Sequence, residues 1–420
     1  MQEISQLVLG IDLSEDITQV SVMRPFSAEP DTVSFDVESE REFLPTVLLR
    51  KGANDWKLVE NKIRQEVPAL HFFHAALHRK NVAFENAEWD AAELLRVYLK
   101  LLKERLEKRF ADTQIGFIAV TCEEANEDEK IKSFLLECFV SQGFEEDKLL
   151  FLSHVESFFH YAIRQEESIW RSGAVAFDYG SEGMHYYSME CRIFGGKRLL
   201  ITDYRDYSEE LSVGFPEKEE PERVALMFER LAEKALQSRS STLFITGRGF
   251  EGEWTRDVLR MLSGGRRVFR GQNLYTQGAC YAAAEAFYGT KSAEFAVYMP
   301  DQIDANVYFL AENANEKEIL MAEAGERYTE VRKELSVILD SVDKLNFRVT
   351  PVGTAKEYQI RIVPNQLQLR SDRTSRYAVR VFFTGRDRLV IQIKETGFGD
   401  FYPSTNRIYE EIIDLSQFVE

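Results

Sequence analysis

Two stretches far apart in the chain begin alike: Leu9-Gly-Ile-Asp12-Leu-Ser-Glu15 and Val175-Ala-Phe-Asp178-Tyr-Gly-Ser181. Each is an apolar run closed by an acid, the pattern of a buried strand that ends in a turn. Each is followed by a β-prone return, Ile17–Val22 in the first case and Met184–Met189 in the second, and then by a third short run, 32–37 and 198–202. The helical stripe Leu94, Leu95, Tyr98, Leu101, Leu102 and Leu106 then predicts a helix over 91–108. A strand at 115–120, a helix at 127–139, a strand at 149–152 and a short helix through Tyr161 complete the first series. The second series repeats it with a helix at 223–237 after an acidic linker at 216–221, a strand at 242–246, a helix at 251–262 and an Ala-rich helix at 277–288. An internal duplication is the most economical account, with an α/β lobe at 1–168 and a second at 169–289.

Past Gly289 the texture changes to short alternating runs such as Tyr358–Val363, Tyr377–Phe383 and Leu389–Ile393, which predict a smaller antiparallel β domain over 292–420 closed by a helical turn at 410–415. The 420 residues, 44% apolar and 29% charged, exclude both a single small module and a disordered chain. With 52 Lys and Arg against 70 Asp and Glu, the formal charge of -18 repels nucleic acid and anionic membrane surfaces. The run Arg266–Arg270 is too short to reverse that, and reads as a solvated loop. Four scattered cysteines without a CxxC pair, no basic leader and no membrane-length apolar run point to a cytoplasmic protein.

Asp12 and Asp178 close matching strands, so two carboxylates are expected to face each other across a cleft between the lobes. Mg²⁺ is held through one or two carboxylates together with substrate phosphates, and this pair offers that chemistry. Gly180, Ser181 and Gly183 make the second turn able to wrap a phosphate, with Ser14 its counterpart in the first; Leu13 stands where a glycine is expected there. Gly247-Arg248-Gly249 ends a buried strand before a helix and could border a nucleotide, though a GxG alone is equally a strand-end turn. For Gly278-Ala-Cys-Tyr-Ala-Ala-Ala284, close helix packing is the better account. His71, His74 and His78 fall on one face of a short helix without a fourth ligand, so a packed or solvated face is favoured over zinc. No Gly-x-Ser-x-Gly elbow is present, which leaves acyl hydrolysis without support.

This order of acid-ended strands, with Thr246-Gly-Arg-Gly249 and the Gly278-Ala helix, resembles the actin, hexokinase and heat-shock-chaperone ATPase superfamily. The seventy-kilodalton, DnaK-like chaperones are the most similar, through Leu44-Pro-Thr-Val47, Ile118–Asn126, Phe382–Asp387 and Leu389–Ile393. The resemblance implies a duplicated actin-like (ribonuclease H-like) two-lobed fold that binds ATP or ADP with Mg²⁺. Asp12 and Asp178 would hold the metal, Ser14, Gly180 and Ser181 would contact phosphate, Gly247 and Gly249 would border the adenosine, and the β domain would contact a polypeptide partner. The departures concern hydrolysis. Ala75 stands where that family places a water-positioning lysine, and Ser153 stands in place of an acid, with Glu156 one helical turn on as the substitute the sequence offers. A missing base or cation costs about 10²–10⁴-fold in rate, so the resemblance implies at most a weak ATPase. Two other readings stand beside it: an interaction protein that keeps the fold without nucleotide, and, with less support, a small-molecule kinase.

Overall fold

The computed structural model describes residues 6–35, 42–52, 55–59, 69–126, 128, 130–180, 183–211, 221–236, 242–252, 254–289, 295–311, 317–338, 344–364 and 376–418. It is a mixed α/β protein in two compact units, the first made of Met1–Cys191 with Thr202–Glu294 and the second of Arg192–Ile201 with Phe295–Glu420.

Within the first unit the chain runs β1 (Gln6–Leu13), β2 (Ile17–Met23), β3 (Asp31–Thr32), α1 (Ala91–Arg109), β4 (Gln114–Cys122), α2 (Lys130–Ser141), β5 (Leu149–Ser153) and α3 (His154–Arg164). It then runs β6 (Ala174–Gly180), β7 (Gly183–Phe194), β8 (Lys197–Asp206), α4 (Pro221–Ala235), β9 (Thr242–Thr246), α5 (Thr255–Leu262), β10 (Arg267–Arg270) and α6 (Leu274–Tyr288), with the stretch Arg192–Ile201 of β7 and β8 belonging to the second unit. The two series build sheets that share one order over five strands, β5-β4-β1-β2-β3 and β10-β9-β6-β7-β8; Leu44–Pro45 adds to β2 in the first, and Phe295–Tyr298 adds beside β8 in the second. In both, the acid-ended strand is central, antiparallel to the strand that follows it and parallel to the one that follows the first helix. Asp12 lies opposite Thr121 and Gln19, and Asp178 lies opposite Thr246 and His185. The two carboxylates therefore occupy one register position in two sheets.

α1 forms as its pattern predicts: Asp90 caps it, accepting from the Ala92 N–H at 2.8 Å, and Leu94, Leu95, Tyr98, Leu102 and Leu106 are buried. Between β3 and α1 the chain inserts a small sheet of Val47–Arg50, Trp56–Leu58 and Ala69–His71, a short helix Phe73–Leu77 and a hairpin Asn81–Phe84/Ala87–Asp90. His71 sits on that sheet and His78 caps the helix end, so only His74 of the three is on the helix.

The last helix of each series packs against the sheet of the other. α6 lays Ala279, Cys280 and Ala283 on Val8 and Ala119 of the first sheet. α3 sends Phe158 to Phe244 and Tyr187 of the second, with ring centroids 6.0 and 6.3 Å apart. Where the helices cross, a Cβ on Gly278 would overlap the Ser157 carbonyl, and one on Gly10 would overlap the Thr276 carbonyl and the Cys280 amide. Only hydrogen fits at these two positions.

The second unit pairs Arg198–Ile201 in parallel with β11 (Phe295–Tyr298). It continues as β12 (Ala305–Ala311), β13 (Lys317–Ala322), β14 (Arg332–Ile338), β15 (Leu345–Pro351), β16 (Tyr358–Ile362), β17 (Arg376–Gly385), β18 (Arg388–Glu395) and β19 (Ile408–Asp414). Two four-stranded antiparallel sheets, β13-β12-β15-β16 and β14-β17-β18-β19, share one core of residues such as Val307, Phe347, Val379 and Ile391. The expected helical turn at 410–415 is instead strand β19, because Ile412 pairs with Val390 and Glu410 with Gln392 along β18; a single helical turn follows only at Leu415–Phe418.

Gly278→Ala should cost about 3 kcal/mol or more, because the added methyl meets backbone that cannot swing aside. Gly52→Ala, whose nearest neighbour would be Asp55 at 3.6 Å, should stay within about 0.5 kcal/mol of wild type in the same urea titration. Equal stability of the two variants would contradict the crossing.

Candidate functional site

The carboxyl ends of β1, β6 and β9 and the first turn of α6 enclose a cleft of about 450 Å³ within the first unit. Of the residues singled out in the sequence, Asp12, Ser14, Asp178, Gly180, Gly247, Arg248 and Gly249 line it together. Leu13 does not: it is fully buried in the first core, as strand alternation next to Asp12 requires. Gly183 also lies away from the cleft; its φ of 112° and a close approach by Ser208 explain the glycine. Ser181 lies outside the described residues.

Glu156 is not in the cleft either. Its carboxylate accepts from the Ser153 N–H at 2.6 Å while its own N–H donates to Ser153 Oγ at 3.3 Å, and Lys132 Nζ sits 2.5 Å from the same carboxylate. Glu156 and Ser153 are thus the capping box that starts α3, and the substitute base expected there is committed to folding.

The centre of the site is a group that strand patterns do not reveal. His154, the first residue of α3, is 3% exposed and places Nε2 2.8 Å from Asp12 Oδ1. Its ring stacks on Tyr275 in the first turn of α6, with centroids 3.7 Å apart and planes at 7°. The Tyr275 hydroxyl is buried and turned toward Asp178 and Tyr187, without closing a well-formed hydrogen bond to either. Burial pushes the Asp178 carboxyl up to about 6; His154 and the Tyr275 hydroxyl pull it back down and Asp12 adds to the rise. Across the strand pair from Asp178, His185 contacts Glu123 through Nδ1 and lies 3.3 Å from Asp206 through Nε2. Burial brings this imidazole down to about 4, with Asp206 opposing the fall.

The glycines of Gly247-Arg248-Gly249 serve packing. A Cβ on Gly247 would overlap Asp178 Oδ1 and the Tyr179 backbone, and one on Gly249 would lie 2.6 Å from the Tyr179 ring. Gln272 fixes this turn at two points, accepting from the Gly247 N–H at 3.1 Å and donating to its carbonyl at 3.2 Å. In the first hairpin the Ser14 and Ile17 N–H groups bond within the turn, to the Ile17 carbonyl and to Ser14 Oγ. Ser14 thus closes its own turn.

A divalent cation fits these residues poorly. Asp12, one of the two carboxylates that would hold it, is already bonded to a buried imidazole, and among the described residues no cluster of three His, Cys, Asp or Glu groups could bind a metal. Among the described residues no lysine lines the cleft, and Ala75 is half-buried against the first core.

Fold and site together define a mixed α/β protein built on two sheets of one strand order, with a buried carboxylate pair at matching positions. Residues 29–301 match the model described as a family of unknown function (DUF5716), C-terminal, and the chain belongs to that family. Residues 302–415 match a domain of unknown function (DUF8552). No curated protein matches the chain. Among the described residues, no helix is long and apolar enough to cross a membrane.

The sign of the Asp178 shift yields a stability prediction. A carboxyl raised from 3.8 to about 6 on folding favours the native state while protonated, and that advantage is lost as the pH rises from about 4 through 6. Asp178→Asn should therefore be more stable than wild type at pH 8, by up to about 3 kcal/mol, with the difference vanishing toward pH 4. Urea unfolding across that range checks it, and a variant less stable than wild type at pH 8 would refute it.

Proposed function

We propose that the protein is an actin-like, DnaK-related binding protein. In this reading its first unit takes an adenine nucleoside or nucleotide in the cleft between the two series, and its β-sandwich contacts a polypeptide. The observation that carries the reading is the coincidence of sheet order with carboxylate position: Asp12 and Asp178 end the central strands of two sheets that share one order and one polarity of pairing. A cleft of about 450 Å³ at the carboxyl ends of those strands is large enough for a nucleoside.

The same residues speak against hydrolysis. Glu156 is bound in a helix cap, Ser153 serves as its partner, no lysine among the described residues lines the cleft, and Asp12 is bonded to His154. Among the described cleft-lining residues there is no lysine to position an attacking water, and the substitute base Glu156 is held in a helix cap, so the activity proposed is binding without turnover.

Thermal unfolding of the full chain with adenosine, ADP and ATP tests this. A ligand at 100 times its Kd adds about 2.7 kcal/mol of stability, and phosphate release should stay at the buffer rate. If none of the three shifts the transition, the fold serves protein interaction alone. If phosphate release is fast and is lost in Asp178→Asn, the protein is an ATPase and the binding-only reading fails.

A further inference from the structure

We propose that the His154 side chain takes the place beside Asp12 that a divalent cation would need, so that the cleft works without metal and favours a ligand of low negative charge, a nucleoside over its di- or triphosphate. The preference among adenine compounds rests on the binding function proposed above; the exclusion of metal does not.

Three observations carry it. The first is position. His154 bonds to Asp12 at 2.8 Å and is 3% exposed, so its ring fills the space beside that carboxylate inside the cleft. Mg²⁺ needs near-octahedral oxygen ligands at about 2.0–2.1 Å and keeps several waters, which demands room beside Asp12 that the imidazole takes. The second is fixation. His154 is not free to swing away, because its ring lies flat on Tyr275 at 3.7 Å and its backbone begins α3 directly after the capping box at Ser153. The third is charge. Asp12, Asp16, Glu123, Asp178 and Glu251 line the cleft, against a single guanidinium, Arg248, which is exposed. With the cation excluded, one exposed guanidinium is all that the described lining sets against a polyphosphate, whereas a nucleoside hydroxyl can donate to a carboxylate.

Mn²⁺ reports on the metal site of the full-length protein without any nucleotide, by electron paramagnetic resonance or calorimetry. Wild type should bind no Mn²⁺ in the cleft. His154→Ala should gain one site, and His154→Ala/Asp178→Asn should lose it again. Wild-type Mn²⁺ binding that Asp178→Asn abolishes overturns the proposal, as does a folded His154→Ala protein that takes up no Mn²⁺. Should His154→Ala fail to fold, the wild-type titration decides alone.

The ligand preference is read by calorimetry with adenosine and ADP, in EDTA and again with Mg²⁺. Adenosine should bind equally in both, with ADP at least tenfold weaker. Tighter binding of ADP that depends on Mg²⁺ overturns both parts. If neither compound binds, the nucleoside preference falls together with the binding function it rests on, while the Mn²⁺ result still decides whether His154 excludes the metal.

Discussion

Two helices cross with backbone against backbone, and the rest of the first unit is arranged around that contact. Gly278 of α6 lies on the Ser157 carbonyl of α3, and Gly10 of β1 lies under the Thr276 carbonyl and the Cys280 amide. Side-chain hydrogen bonds hold the approach in register, from Thr276 Oγ1 to the Gly10 carbonyl at 3.0 Å and from Ser157 Oγ to Thr121 Oγ1 at 2.8 Å. Interiors packed to this density transmit displacement rather than absorb it. The central strands of the two sheets cannot separate without undoing the crossing.

The crossing also builds the site. Three residues before Ser157 stands His154, and three residues before Gly278 stands Tyr275, so the residues that meet at the crossing are each one helical turn from a ring, and those rings stack. Each ring faces the carboxylate of its own series: His154 bonds to Asp12, and the Tyr275 hydroxyl is turned toward Asp178. The two series are thus related in their polar centre as well as in their strands, with one asymmetry. Where one has an imidazole bonded to its acid at 2.8 Å, the other has a phenol turned toward its acid.

Much of this was legible in the residues. Acid-ended apolar strands, the α1 stripe and the alternating runs of the β-sandwich are local patterns, and they led to the succession of elements, to the duplication and to Asp12 and Asp178. Leu13 could also have been read correctly, since alternation places it opposite its neighbour's face. The hairpin Asn81–Phe84/Ala87–Asp90 was missed because it carries little apolar alternation, and Glu410–Leu415 was read as a helical turn because only pairing with β18 makes it a strand. His154, Tyr275 and Gln272 carry no signal of that kind. They reach the cleft because α3 and α6 cross and because β9 ends beside β6, contacts between residues far apart in sequence. The glycines at 247 and 249 were visible, but their reason, the approach to Tyr179, was not.

The segment Arg192–Ile201 gives the chain an unusual route. Polypeptide leaves the first unit after Cys191, contributes Arg198–Ile201 as the parallel neighbour of β11, re-enters at Thr202 and leaves again after Glu294. The units are therefore joined by three covalent passages instead of one. A protease that cuts near residue 292 would not release the sandwich as a separate fragment, and an expression product begun at that residue would lack the strand that β11 pairs with. A piece cut by a single boundary would therefore not contain the whole of the second unit.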